Sequence, residues 1–389
     1  MMLVLALGRF GDPKSRVLTH IRRHGATSRE ELVRLTGLSS SSVARTVTAL
    51  LDGGLVRERP DLIPDTAIGR PSYPVELDTG NHVTLGCHVG RRTTTVSLGD
   101  ISGRVVARRS FRLPRLVRDL RRTRSRSSSA RSRARTTLLT GNPARAVIGA
   151  GLVAPWGDIE YDEQALGAAL ERRLGFPVES WELVPAIAAA EYLARSEDLP
   201  GSTMYLYSRN TVAFVMANQR PAGTEIARVG RLSHFPIGGV DVCRCGQTGC
   251  LENAVSDEAV AAKAASAGVI GTPDIELVHR AAARGDQVAH RLLCARAAAL
   301  GRVAAVVRDI TNPDRVVLCG QGLTGYGPAL EVTRAHFAAH TATAREIGIS
   351  FTRFAGDIQS IAATTVALCP VYDSPTSVLA SEGGDRLTG

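Results

Sequence analysis

From about Lys14 to Leu51 apolar residues recur every three or four positions, the period of a helix with one buried face. SRVLTHIRRHG keeps this spacing and stops at Gly25, which predicts a first helix. TSREELVRLTGLS opens on Ser28 with Glu31 three residues later, a capping box, and predicts a short second helix ending near Gly37. SSSSVARTVTALLDGGLV begins with hydroxyl side chains, sets Val43, Val47, Leu50 and Leu51 along one face, and breaks at Gly53 and Gly54. Leu55 and Val56 then start a strand, and YPVEL returns it after the irregular ERPDLIPDTAIGRPS.

Two short helices around a glycine turn, the second opening on small polar residues and followed by a ribbon, form a winged helix-turn-helix pattern. In such a motif the start of the second helix enters the major groove of double-stranded DNA. The expected DNA-contacting residues are therefore Ser40, Ser41, Ser42, Arg45 and Thr46 on its first turns, with Arg45 as the base reader. Ser39 or Ser40 serves equally well as the helix N-cap. At the wing tip, Arg70 between Gly69 and Pro71 suits insertion into a narrow minor groove, or an ordinary turn. A helical cap on a larger domain is the competing reading of the whole segment.

From His82 the period changes. HVTLGCHV, TTTVSLGD and RVVARRSFRL predict three consecutive strands; RAVIGAGLVAP, TMYLYSRNTVAFVMA and DRVVLCGQG predict further strands. DEQALGAALERRLG, VPAIAAAEYLARS and HRLLCARAAALGRVAAVVRDI read as helices. Strands alternating with helices imply an α/β domain, here of two lobes. The resulting division is a tail over 1–13, a winged helix over 14–80, and an α/β domain over 81–389 with an insertion at 112–136.

Charge sharpens this division. The net charge is +10, yet ten arginines against the single Asp119 between Arg112 and Arg135 supply +9, leaving +1 for all other residues. That Arg/Ser tract is either a basic loop with sequence-independent attraction for phosphates or an accident of the coding sequence. No stretch approaches the roughly 18 uninterrupted apolar residues of a membrane span, and MMLVLALGRF lacks a basic start and a cleavage site, so a cytoplasmic location is expected.

Of the seven cysteines, Cys87, Cys294, Cys319 and Cys369 lie scattered in apolar runs. The other three crowd into HFPIGGVDVCRCGQTGCLE. There His234, Cys243, Cys245 and Cys250 offer one imidazole and three thiolates, a closed tetrahedral shell expected to hold a structural zinc ion. Gly246 and Gly249 allow the chain to fold back between the ligands.

This loop resembles the H…CxCGxxGCxE loop of the ROK family, bacterial repressors and sugar kinases with an actin-like (ribonuclease H-like) domain. LGCHVGRRTTTVSLGDISGRVV is similar to the family's first phosphate hairpin, AVIGAGLVAP to a sugar-lobe strand, and NPDRVVLCGQGL to the late strand and glycine turn on the adenosine side. A winged helix ahead of that domain marks the repressor branch.

The resemblance also places the residues a kinase would need. At the end of the first strand, D-x-G-G-T is replaced by His88-Val-Gly90-Arg91-Arg92-Thr93. The proton-accepting Asp of the E-N-D segment falls on Leu183, after Glu182, and leucine accepts no proton. The sugar-gripping E-x-G-H segment reads Arg231-Leu-Ser-His234; His234 and Glu252 remain as candidate effector contacts. The resemblance thus implies a regulator without kinase activity, assembling as a homodimer or homotetramer and sensing a sugar-like effector. The alternatives are a carbohydrate kinase with an accessory N-terminal domain and a zinc-stabilised scaffold for protein partners.

Overall fold

A computed structural model describes residues 3–5, 12–63, 72–91, 93–112, 145–156, 162–175, 177–194, 200–220, 223–343 and 347–375. Strand β1 (Leu3–Leu5) lies within the expected N-terminal tail and pairs at a sheet edge. Helix α1 (Pro13–His24) begins where the Asp12 carboxylate accepts from the Lys14 N–H, with Pro13 in the first turn. Helix α2 (Arg29–Thr36) is capped by Ser28, whose hydroxyl accepts from the Glu31 N–H at 3.1 Å, and ends at Gly37 with a left-handed φ of 67°. Helix α3 (Ser40–Asp52) is capped by Ser39. Strands β2 (Val56–Glu58) and β3 (Val75–Leu77) pair antiparallel as the base of the wing.

Val17, Leu18, Ile21, Leu32, Val43, Val47 and Leu50 fill the space between these helices at 0–1 % exposure. Each such side chain contributes roughly 1.5–3 kcal/mol by leaving water. The helical periodicity in the sequence therefore encodes a three-helix core.

The chain divides into two compact units. The first holds the winged helix and a five-stranded sheet ordered β6-β5-β4-β7-β8, made of β4 (His82–Val89), β5 (Thr93–Asp100), β6 (Val105–Arg112), β7 (Ala146–Ala154) and β8 (Val178–Glu182). β4, β5 and β6 form the expected antiparallel meander, while β7 and β8 run parallel to β4. Tight turns permit the former; parallel pairing needs longer crossovers.

Helix Ile358–Asp373 covers this sheet at unusually close range. A Cβ at Gly86 would lie 2.6 Å from the Thr364 backbone nitrogen, one at Gly149 2.8 Å from the Ala367 oxygen, and one at Gly151 2.8 Å from the Ala367 nitrogen. Glycine is required because helix backbone meets strand backbone directly.

The second unit carries a sheet ordered β1-β11-β10-β9-β13-β14, with β12 beside β10. Its strands are β9 (Gly201–Ser208), β10 (Val212–Arg220), β11 (Gly223–Ile226), β12 (Gly230–Arg231), β13 (Arg315–Cys319) and β14 (Ile349–Phe351). Helices Gln287–Thr311 and Gly327–His340 pack together at Gly301, where a Cβ would meet the Thr333 carbonyl oxygen at 2.6 Å. Leu300, Val303, Ala304 and Val307 join Met204, Leu206, Val316 and Leu318 in one core. Cys87, Cys319 and Cys369 are buried, and burial pushes the Cys87 thiol up to about 12, as expected of inert core residues. Among the described residues no helix is long and apolar enough to cross a membrane.

Gly151→Ala should destabilise the protein by about 1–3 kcal/mol in denaturant titration, the range for overpacking a tight contact. Unchanged stability would mean that helix and sheet can separate freely there.

Candidate metal cluster and nucleic-acid interface

β12 sets Gly230 and Arg231 against Phe214 and Ala213 of β10, and the chain then enters an irregular loop that returns at Cys250. Isolated bridges join Pro236 to Cys250 and Val242 to Thr248. Within the loop the Cys243 N–H donates to the Gln247 carbonyl at 2.7 Å, the Gly246 N–H to the Cys243 carbonyl at 2.8 Å, and the Ile237 N–H to the Gly249 carbonyl at 2.9 Å. Gly246 (φ 85°) and Gly249 (φ 70°) occupy left-handed conformations, and a Cβ at 249 would lie 2.8 Å from the Gly238 carbonyl carbon.

These turns bring one donor atom each from His234, Cys243, Cys245 and Cys250 within 4.8 Å of one another. Cys243 Sγ is 3.5 Å from His234 Nδ1, and Cys245 Sγ is 3.7 Å from Cys250 Sγ. Cys243 and Cys250 are buried; His234 and Cys245 are exposed. Burial is the first cause that pushes the Cys250 thiol up to about 12, while a backbone hydrogen bond from Gln247 lowers Cys245. All four residues singled out in the sequence thus form one cluster able to hold a metal ion.

The loop runs directly into the short helix Leu251–Val255. There the Glu252 N–H donates to the Ser233 carbonyl at 2.8 Å, and the Glu252 carboxylate, itself buried, meets Arg244 Nε at 3.3 Å. The structure therefore brings His234 and Glu252 into one locality and also gives Glu252 a cation of its own.

In the first unit, His88 is buried near the end of β4, and the Gly90 N–H donates to the Thr93 carbonyl to close the β4–β5 turn. Glu182 ends β8, and Leu183 opens helix Leu183–Leu193 at 2 % exposure. An apolar side chain, Leu183, is thus sealed into the first turn of this helix.

On α3, Ser40, Ser41 and Arg45 are exposed and Ser42 is half-buried. Thr46 corrects the expectation: it is 5 % exposed, because it lies three residues after Val43 and four before Leu50 on the face turned to the core. Ala44 and Thr48 are exposed instead, and both were legible from the same 3.6-residue period. Ser39 is the N-cap, so Ser40 is left to face solvent.

The wing base neutralises its own charges, with Arg57 and Arg59 paired to Glu76, Arg59 also to Asp61, and Arg29 to Glu58. Arg45 has no ion-pair partner among the described residues. Arg70 and most of the Arg/Ser tract lie outside the described residues.

Comparison with known proteins matches a model of the ROK family to residues 84–348 and one of the MarR family to residues 10–61. The transcriptional regulator Rv0485 of Mycobacterium tuberculosis is 32 % identical over 392 residues, covering 94 % of this chain and 87 % of the relative. The DNA-binding transcriptional dual regulator NagC of Escherichia coli K12 is 26 % identical over 321 residues, covering 77 % and 78 %. In fold, the chain matches the crystal structure of a ROK family transcriptional regulator, a homologue of the E. coli Mlc protein, with a TM-score of 0.71 at 20 % identity, covering 95 % of this chain and 98 % of that one.

Gly249→Ala forces a side chain into the left-handed region at a cost of about 1–2 kcal/mol, besides the collision with Gly238. The expected result is a loosened loop in which the buried Cys243 and Cys250 react rapidly with a thiol reagent. Thiol kinetics identical to wild type would show that the loop does not depend on that turn.

Proposed function

The chain belongs to the ROK family, and from that premise we propose how it works as a transcriptional repressor that binds DNA through α3. It is a regulator rather than a sugar kinase. The observation that carries this reading is a MarR-type winged helix joined to a ROK domain, and the burial of Leu183, where the resemblance puts the family's proton acceptor, supports it. The face offered to the major groove comprises Ser40, Ser41, Ala44, Arg45 and Thr48, with Arg45 supplying a cation that has no ion-pair partner among the described residues. Gel-shift titration on DNA from upstream of its own gene, against a random duplex of equal length, tests the proposal. Equal affinity for both duplexes would overturn it.

We assign zinc to the cluster. Tetrahedral zinc with Zn–S of about 2.3 Å and Zn–N of about 2.0–2.1 Å separates two sulfurs by about 3.8 Å and a sulfur from a nitrogen by about 3.6 Å. The corresponding distances here are 3.7 Å and 3.5 Å, which supports the assignment. The shell has no open position, so the ion would act structurally by tying residues 234–250 together. With Nδ1 of His234 on the metal, its Nε2 is left to meet a hydroxyl-rich, sugar-like effector beside Glu252, and such a ligand must share Glu252 with Arg244. A homodimer or tetramer would present paired α3 helices to an operator with two half-sites.

Metal analysis of purified protein should give about one zinc per chain, and Cys250→Ser should abolish its retention. Because uptake must expel the Cys250 proton, zinc affinity should fall as pH is lowered. A folded wild type that remains metal-free in excess zinc contradicts the assignment.

With ATP and glucose or N-acetylglucosamine, ADP release should stay at the no-enzyme level. Turnover that persists through repurification and vanishes on heat denaturation would restore the kinase alternative.

Arg45→Ala should weaken binding at the preferred DNA site by about 1–3 kcal/mol while leaving random-duplex affinity nearly unchanged. Equal losses on both duplexes would reduce Arg45 to a phosphate contact.

A further inference from the structure

Helix α1 has a second face besides the one in the three-helix core. Along it the Ser15 hydroxyl donates to the Tyr372 carbonyl, and an Arg22 N–H donates to the Leu193 carbonyl. The Arg22 guanidinium also lies over the Tyr372 ring, 5.4 Å from its centroid. Next to it, Arg23 donates to the Tyr192 hydroxyl at 3.2 Å and lies 5.8 Å from that ring's centroid. Tyr372 is in turn held by its hydroxyl, which donates to the Ile101 carbonyl at 2.6 Å.

Leu193 and Tyr372 stand in the last turns of helices Leu183–Leu193 and Ile358–Asp373. The carbonyl end of a helix carries partial negative charge, and Arg22 faces that of helix Leu183–Leu193 while Arg23 holds the Tyr192 side chain beside it. Arg22 is half-buried there, and burial lowers its pKa. A cation so placed is costly to strand, so the contact is kept or broken as a whole.

Helix Leu183–Leu193 is buried along its full length and spans about 16 Å at 1.5 Å per residue. Its far end is Leu183, directly after Glu182. At the other end of the winged helix, His82 Nε2 of β4 lies 2.9 Å from the Gly53 carbonyl, just past α3. Both ends of the DNA-binding module are therefore held by the rest of the first unit.

We propose that Arg22 is a positioning residue, which takes its bearing from the Leu193 carbonyl at the end of helix Leu183–Leu193 and from the Tyr372 ring on helix Ile358–Asp373, and thereby fixes the orientation of α3. A displacement of helix Leu183–Leu193 passes through Arg22 to α1 and, through the shared core, to α3. This rests on the DNA-binding reading above. It adds that the winged helix is a rigid extension of its unit and that Arg22 matters for orientation without touching DNA.

Hydrogen exchange of the full-length protein tests the coupling without DNA. Arg22→Gln should speed exchange about tenfold both in α1 and in the last turn of helix Leu183–Leu193, while amides of residues 234–250 keep their wild-type rates. Arg22→Lys, which keeps the charge over Tyr372 and one donor for Leu193, should restore both. Should Arg22→Gln fail to fold, Arg23→Gln loosens the same helix end and is expected to raise exchange in the same two segments.

In parallel, Arg22→Gln should cut the ratio of upstream-DNA to random-duplex affinity about tenfold at unchanged random-duplex affinity, which a merely destabilising change would not do. Unaltered exchange at residues 190–193 in folded Arg22→Gln overturns the proposal, as does an unaltered affinity ratio. If wild type itself shows no preference for upstream DNA, the DNA-binding reading fails, while the exchange experiment still decides the coupling.

Discussion

Where strands β4, β5 and β7 carry Gly86, Gly99, Gly149 and Gly151, helix Ile358–Asp373 rests on bare backbone. A larger residue at any of these positions would lift the helix by the thickness of a side chain. The consequences extend beyond packing. The same helix carries Tyr372, which reaches both Ile101 on the sheet side and Ser15 and Arg22 on α1. A change of an ångström in its height would break hydrogen bonds that tolerate a few tenths. The glycines thus set the level at which the DNA-binding module is mounted.

Much of this was legible in the sequence, for identifiable reasons. Period and caps together located α1, α2 and α3, because Ser28, Ser39, Gly25 and Gly37 each have a local structural task that does not depend on the rest of the chain. The cysteine loop was equally plain, since His234, Cys243, Cys245 and Cys250 have few other reasons to crowd together. Thr46 departs from the expectation because its place three residues beyond Val43, on the core-facing side of the helix, outweighs its hydroxyl. Helix Ile358–Asp373 left little trace: it is buried on nearly every side, so its apolar residues show no stripe. The arginine facing a helix end was invisible for a different reason. Arg22 and Leu193 lie 171 residues apart, and no local pattern encodes such a pairing.

The two halves of the ROK domain have kept different parts of what the family resemblance implies. In the second unit the cysteine loop is complete, with both glycines in the conformations that demand glycine. In the first unit the fold is intact, and His88 and Leu183, the positions where the resemblance places kinase carboxylates, are both buried. Scaffold and catalysis are separable because the buried start of helix Leu183–Leu193 needs apolar volume, which a leucine supplies better than a carboxylate would.

The contact between Ser15 and Tyr372 joins residues 357 positions apart. A ribosome adding about 5–20 residues per second takes roughly 18–70 s to travel from one to the other. Throughout that interval α1, α2 and α3 have all the residues of their own core and lack the support that aligns them. A nascent or prematurely terminated chain therefore exposes a DNA-binding module whose aim is not yet set. Correct targeting becomes a property acquired only once helix Ile358–Asp373 has been added, so that helix acts as a quality check on α1.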